Sequence, residues 1–291
     1  MELWFLSVLA ATLLAGISNF AFKVASKRGY NGEIFSLYGG SLLFFLLPAT
    51  WFWGGAFVGW FMVVLLIIVG SVGAINNIAK VAALRYIDTS IYFPLYKTLT
   101  PSLAIVFGVI FFHEAFSIKE WLGLLLGLLV PLVLIHIRDF STQKNLAVGL
   151  WLVVLTGVIS AVAAGLNKYA INFTSGAVLQ LVTIATIGVV IGSVVSLMNK
   201  YKTTRVWKEI KTQTNPSLVW WALVRSSFIT ASMYFMLQAF SLGAPLAIAN
   251  TIQSFYFLIP IVLSVLIYKE PIGQRRIVAI ALCLLTLVLF A

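Results

Sequence analysis

Apolar stretches long enough to cross a lipid bilayer follow one another along almost the whole chain. A transmembrane helix needs about 20 mostly apolar residues, because each residue rises about 1.5 Å along the helix axis. Hydrophobic residues make up 62% of the 291 residues and charged residues only 9%, whereas soluble domains contain about 25% charged residues. The pattern predicts an all-α membrane protein with ten transmembrane helices, at about 3–25, 33–53, 58–84, 89–112, 118–137, 147–171, 175–198, 217–241, 245–267 and 272–290.

Composition also excludes several classes of protein. The single cysteine, Cys283, rules out a disulfide framework and a cysteine-rich metal site. The two histidines are far apart, and the sequence shows no paired catalytic carboxylates and no embedded nucleophile with a base. We therefore expect no metal, no cofactor and no enzymatic activity. In a membrane protein the net charge of +11 indicates orientation and attraction to anionic lipid rather than a nucleic-acid partner.

The chain repeats itself at a spacing of 156 residues. The matched pairs are Ala83 and Ala239, Lys97 and Gln253, Glu114 and Glu270, and Lys119 and Arg275. Each half contains five predicted helices, and an odd number makes the two halves insert in opposite directions. We therefore predict two inverted five-helix repeats, 1–140 and 146–291, within one integrated membrane domain. Such repeats enclose a central cavity at the interface between the halves.

Short motifs flank the fourth predicted helix of each half: Ala82-Ala83-Leu84-Arg85-Tyr86-Ile87, His113-Glu114, Gln238-Ala239-Phe240, Pro245 and Lys269-Glu270. Through these motifs and the two five-helix units, the chain resembles the drug/metabolite transporter superfamily, above all its EamA-like branch. The resemblance covers essentially the whole chain, although its motifs are degenerate and do not encode a substrate. It implies ten helices around a central cavity that opens alternately to the two sides. The lysines within helices depart from the family's pattern.

Lys97 lies deep in the fourth apolar stretch, between Pro94 and Pro101. A charge at the centre of a membrane helix costs about 2.5–3.5 kcal/mol on insertion scales, so it is usually retained where it faces a cavity. Each proline removes a backbone donor and tends to kink a helix. We therefore expect an unwound or kinked segment that lines a cavity.

Four basic residues fall in the same half of the bilayer when the ten helices are threaded alternately: Lys23, Lys80, Lys97 and Arg225. All eight acids lie at helix ends or in loops, so no embedded carboxylate is expected to pair with these cations or with Lys168, the fifth basic residue within a predicted helix. Unpaired positive charges in one vestibule attract anions and repel cations. An alternative for Lys23, Lys80 and Lys168, which lie near helix ends, is that each ammonium reaches water at the membrane surface.

Polar and aromatic residues recur at helical spacing around these cations. Residues three or four apart share a helix face. The polar ones can line a cavity or join helices through hydrogen bonds, and the aromatic ones can form pocket walls or core packing. We predict that the substrate-binding residues are Lys97, Arg225, Lys80, Lys23, Asn19, Asn77, Tyr96, Tyr234, Gln238, Asn250 and Gln253.

These features predict a secondary transporter that moves a small anionic or zwitterionic metabolite by alternating access. Candidates are an amino acid, an organic acid or a phosphorylated metabolite. One alternative is a flippase for an anionic lipid headgroup, which the basic segment 199–216 favours. That segment can also be an amphipathic surface helix or a solvated orientation signal. A non-transporting membrane scaffold or enzyme is the remaining alternative.

Loop charges and the family resemblance predict opposite orientations in the membrane. Ten basic loop residues on one side against four on the other place both termini outside, whereas the resemblance implies termini in the cytoplasm. The lack of embedded acids favours a facilitator or an exchanger over carboxylate-based proton coupling. We expect a monomer in the inner (plasma) membrane of a bacterium or archaeon, with a small-molecule substrate and membrane lipid as partners.

Overall fold

The structure, a computed structural model, describes 2–53, 86–135, 145–171, 177–201, 203–269 and 273–291, and the single positions 64, 68, 72, 75, 76, 79, 80, 82 and 83. All regular elements in this part of the chain are helical. They are α1 (Leu3–Lys27), α2 (Gly32–Gly39), a 3-10 turn (Gly40–Leu42), α3 (Leu43–Trp53), α4 (Thr89–Phe112), α5 (Ile118–Leu132), α6 (Leu146–Ile171), α7 (Ala177–Lys200), α8 (Thr203–Gln213), α9 (Pro216–Ser241), α10 (Leu246–Ser254), a second 3-10 turn (Phe255–Phe257), α11 (Leu258–Tyr268) and α12 (Gln274–Phe290).

Six helical stretches are long and apolar enough to cross a membrane, which confirms the predicted all-α membrane class at this level. They are Leu3–Ala21, Gly32–Thr50, Ile91–Phe112, Leu146–Ile171, Val182–Lys200 and Leu246–Ile267. Most of the predicted third helix, 58–84, lies outside the described residues. The segment 199–216 differs from a plain loop, because it contains the helix α8.

Helix α4 is continuous across both of its prolines, so the predicted unwinding around Lys97 is wrong. Each proline removes the hydrogen bond to the carbonyl four residues earlier, which is Ser90 for Pro94 and Lys97 for Pro101. Thr98 Oγ1 donates to the carbonyl of Pro94 at 3.0 Å, and Ser102 Oγ donates to the carbonyl of Thr98 at 2.8 Å. These two hydroxyl groups therefore add hydrogen bonds within α4 without replacing those that the prolines remove.

Helix α1 forms the most extensive helix pair, with α9, and it also packs against α10 and α11. Ser232 Oγ donates to the carbonyl of Ala11 at 2.6 Å, and Ser18 Oγ donates to the carbonyl of Arg225 at 3.0 Å. A Cβ on Gly16 would overlap Ile259. Small and hydroxylated residues of α1 therefore join helices by close approach and interhelical hydrogen bonds.

Two chain corners share an unusual backbone geometry. His113 after α4 and Lys269 after α11 both have φ 52° and ψ 36°. They are the non-glycine residues with positive φ among the residues that the structure describes. Their numbers differ by 156, which is the spacing of the predicted repeat. A left-handed residue commonly ends a helix, but it is uncommon for a residue other than glycine or asparagine.

Candidate functional site

A cavity of about 210 Å³ lies between α4, α6 and α10. Helix α4 packs against both α6 and α10, so these helices hold the walls of the cavity together. The residues that line it are Asn76, Tyr96, Lys97, Thr100, Pro101, Ser160, Ala163, Ala164, Asn167, Asn250, Gln253 and Ser254. Most of these side chains are polar, although they belong to helices that are otherwise apolar.

Four of the predicted binding residues meet in this cavity: Tyr96, Lys97, Asn250 and Gln253. Lys97 and Gln253 are matched positions of the predicted repeat, and they lie on α4 and α10. The fold therefore brings two sequence-equivalent positions to one cavity, one with an ammonium group and the other with a neutral amide.

The ammonium group of Lys97 contacts aromatic rings. Its Nζ lies 4.1 Å from the ring centroid of Tyr256 and 5.1 Å from that of Tyr96. Each such contact stabilises a cation by about 0.5–2 kcal/mol. No carboxylate pairs with Lys97 among the described residues. A ligand with a negatively charged group can therefore supply the counter-charge that the described residues do not.

A hydrogen-bonded group fixes the wall beside Lys97. Ser160 Oγ accepts from Asn76 Nδ2 at 2.7 Å and lies 2.6 Å from the hydroxyl oxygen of Tyr96. The ring of Tyr96 stacks on Tyr92 with 5.7 Å between centroids. Asn76 Oδ1 and Thr100 Oγ1 are buried with no hydrogen-bond partner among the described residues. A buried polar atom without a partner costs about 1–3 kcal/mol, so both atoms are suited to bind a ligand.

Two further predicted cations, Lys80 and Arg225, lie near Lys97 but outside the cavity lining. The Nζ of Lys80 lies 5.1 Å from the ring centroid of Phe93 and 5.7 Å from that of Tyr96. The charges of Lys97 and Arg225 both act on Lys80. Of the four cations predicted to share one vestibule, Lys97 therefore lies inside the cavity, Lys80 lies near the same Tyr96 ring, and Arg225 lies within electrostatic range of Lys80.

Three predicted residues lie away from the cavity lining: Asn19, Tyr234 and Gln238. Asn19 Nδ2 donates to the carbonyl of Ala15 within its own helix at 2.7 Å. Tyr234 is 42% exposed, because it follows Arg225 by nine residues and a turn of about 100° per residue places it on the opposite side of α9. The side chain of Lys23 and the whole of Asn77 lie outside the described part of the chain.

The sequence prediction missed several lining residues. Four of them belong to polar stripes that can also serve to join helices: Asn76, Ser160, Asn167 and Ser254. Ser160 does join helices as well, through its hydrogen bond with Asn76. Thr100 follows Lys97 by three residues, a spacing that puts two side chains on one helix face. This spacing was the signal that could have identified it.

A buried ion pair joins the three helices that form the cavity. Lys168 Nζ on α6 donates to Glu114 Oε1 at 2.5 Å and to the carbonyl of Ala244 at 2.9 Å. The Glu114 carboxylate follows α4 and accepts the backbone N–H groups of Leu246 at 2.5 Å and Ala247 at 3.3 Å. Those N–H groups are at the N-terminus of α10, where a negative charge is favoured.

The Glu114–Lys168 pair corrects two predictions. The side chains are only 8% and 15% exposed, so Lys168 does not extend to the membrane surface, and an acid at a helix end does pair with a helix lysine. The pair also adjoins the cavity. Asn167 precedes Lys168, and Asn250 Nδ2 donates to the carbonyl of Leu246 at 2.8 Å.

Comparison with known proteins shows a likeness in fold alone. No family model matches the chain, and no curated protein matches it. A solved structure described only as "Crystal structure of protein" is similar, with a TM-score of 0.73 and 13% sequence identity over 99% of this chain and 98% of the other. A likeness at this identity extends to the fold and not to the activity.

Proposed function

We propose that the chain is a secondary transporter of the drug/metabolite transporter type, which moves a small anionic or zwitterionic metabolite across a bacterial or archaeal inner membrane by alternating access. The observation that carries the proposal is the polar cavity between α4, α6 and α10, in which Lys97 has no carboxylate partner among the described residues. A cation retained without an acid inside a membrane protein marks a path for a charged solute.

Two pairs of features support ten helices in two inverted repeats. His113 and Lys269 have the same left-handed geometry at the repeat spacing. Helix α4 packs against α6, and α10 and α11 pack against α1. The proposed repeat matches α4 with α10 and α11, and it matches α1 with α6. The contact of α4 with α6 is then equivalent to the contact of α10 and α11 with α1. A two-fold relation between the halves predicts such paired contacts, and it places the cavity at their interface.

The size and chemistry of the cavity favour a small polar solute. A volume of about 210 Å³ is below the range of about 300–1,000 Å³ for sites that hold drug-sized ligands. Lys97 can bind a carboxylate or phosphate as a point charge. Asn76 Oδ1 is an acceptor and needs a donor from the ligand. A zwitterion or a hydroxylated organic anion supplies both groups, whereas a fully deprotonated inorganic anion supplies only one.

The test begins with thermal unfolding of the purified protein against a panel of metabolites. A compound that binds the folded state raises the unfolding temperature. We expect anionic and zwitterionic hits, and we expect Lys97→Gln to remove their effect. Lys119→Gln is the matched control, because it removes one exposed lysine from α5. Hits confined to quaternary amines would overturn the charge argument.

Flux in proteoliposomes then tests transport itself. An unlabelled hit inside the vesicles should drive uptake of the same radiolabelled compound from outside through the wild-type protein and Lys119→Gln, but not through Lys97→Gln. If no soluble hit moves while a headgroup-labelled anionic lipid does cross the bilayer, the chain is a flippase and the proposal fails. Binding without movement of either compound would identify a membrane receptor or scaffold instead.

A further inference from the structure

Helix α8 lies at the level where the chain leaves the apolar layer. The span Val182–Lys200 within α7 ends three residues before α8 begins, and α9 begins three residues after α8 ends. Val206 and Ile210 of α8 pack against a buried cluster that includes Leu197 of α7 and Leu218 of α9. The helix therefore lies between the end of the α7 span and the start of α9, where the headgroups of a surrounding bilayer would be.

The outward side of α8 carries three basic residues and one large aromatic ring. At about 100° per residue, Trp207, Lys211, Lys208 and Arg205 fall on one continuous arc of the helix. All four side chains are exposed, and Trp207 is 79% exposed. Glu209, the acid of this helix, lies next to this arc, about 40° from Arg205, and accepts a hydrogen bond from Gln213 Nε2 at 2.5 Å.

We propose that this α8 basic face (Arg205, Trp207, Lys208 and Lys211) binds the headgroups of anionic phospholipids in the adjacent leaflet. The face has three positive charges and no negative charge, which complements a phosphate surface. Each basic residue held close to an anionic leaflet strengthens attachment about fivefold. Tryptophan favours the membrane interface because its ring is apolar and its N–H is polar.

A lipid surface fits this face better than a soluble anion does. The packing of Val206 and Ile210 fixes α8 on the protein, so its outward arc faces the headgroup layer without any rearrangement. An exposed tryptophan between basic residues has no role in binding a hydrated soluble anion, whereas it can enter the acyl–headgroup boundary. The inference does not depend on what the cavity transports.

Spin-labelled lipids test the proposal on the complete protein. The protein is reconstituted in phosphatidylcholine, and electron paramagnetic resonance measures how strongly it immobilises trace spin-labelled phosphatidylglycerol or phosphatidylcholine. We expect at least one site that prefers phosphatidylglycerol about fivefold or more. The preference should disappear at about 1 M salt, because the Debye length falls from about 10 Å at 0.1 M to about 3 Å.

Matched charge-removal variants locate the site. Lys208→Gln/Lys211→Gln should abolish most of the preference, whereas Lys119→Gln/Lys269→Gln removes two exposed lysines elsewhere and should keep it. The wild-type salt titration tests the charge dependence even if a variant folds poorly. Equal immobilisation of both lipids refutes the proposal, as does an equal loss in the two double variants. If the protein binds soluble polyphosphate but shows no preference between the two lipids, the α8 basic face is a site for a soluble anion, and this result also overturns the proposal.

Discussion

The Glu114–Lys168 pair gives a prediction whose magnitude follows from burial. Removal of one partner from a buried ion pair costs about 3–5 kcal/mol, because the other charge stays buried without compensation. Glu114→Gln keeps the shape of the side chain but removes its charge, and its amide would point N–H groups at the Lys168 ammonium or at the N-terminus of α10. We therefore expect Glu114→Gln to lower the free energy of unfolding by about 3–5 kcal/mol.

The chain contains a matched control in the pair Lys200–Glu33. These groups are 3.5 Å apart, and their side chains are 50% and 25% exposed. Exposed pairs contribute about 0–1 kcal/mol, because water screens the charges and the side chains lose freedom. Glu33→Gln makes the same chemical change, and we expect it to alter the free energy of unfolding by less than about 1 kcal/mol.

The assay is unfolding by sodium dodecyl sulfate in mixed micelles, followed by circular dichroism. A double-mutant cycle with Lys168→Met isolates the interaction from other effects of each change. Glu114→Gln/Lys168→Met leaves no buried charge, so it should be less destabilised than the sum of the two single variants. The reasoning is refuted if Glu114→Gln loses no more stability than Glu33→Gln, or if the two single effects add without coupling.

Three further predictions concern the cavity and the ends of α4 and α5. Thr100→Val should leave the thermal stability of the ligand-free protein unchanged or higher, because it removes a buried hydroxyl that has no described partner, and it should weaken the thermal shift caused by a ligand. Gly108→Val should destabilise the protein in the micelle assay, because its Cβ would overlap the Glu114 carboxylate, and the loss should shrink in a Glu114→Ala background. Ser117→Ala should lower the free energy of unfolding by about 0.5–2 kcal/mol in the same assay, because it breaks the capping box with Glu120 at the start of α5.

The long helices could be predicted from the sequence because composition largely decides whether a segment forms a membrane helix. A run of about 20 apolar residues has few alternatives once the backbone must satisfy its own hydrogen bonds. Short or interrupted elements were harder to predict. The 3-10 turn at Phe255–Phe257 divides the predicted helix 245–267 into α10 and α11. Pro260, which cannot donate a hydrogen bond to the carbonyl of Tyr256 four residues earlier, was the signal for this break. Helix α8 is short and charged, so its hydropathy resembles that of a loop.

Only those features of the candidate site that depend on a single helix could be predicted from the sequence. An unpaired lysine in an apolar stretch identified Lys97, but the rotation of α9 decides that Tyr234 is exposed on the side opposite Arg225. The Glu114–Lys168 pair could not be predicted, because it depends on how three helices approach one another. Glu114 lies at the end of α4 in the sequence, yet the N-terminus of α10 and Lys168 enclose it.

In the proposed repeat, the two matched positions that face the cavity differ in charge. Lys97 and Gln253 are matched positions that face one cavity, and Thr100 and Tyr256 are matched in the same way. A lysine at both positions would bury two ammonium groups near the charges of Lys80 and Arg225, with no described acid to compensate them. Glutamine instead offers a donor and an acceptor, and Tyr256 offers an aromatic face to the Lys97 ammonium. If the halves are related as proposed, their divergence turns a symmetric framework into a cavity with one cationic wall and one neutral polar wall, which would suit a solute with unlike ends.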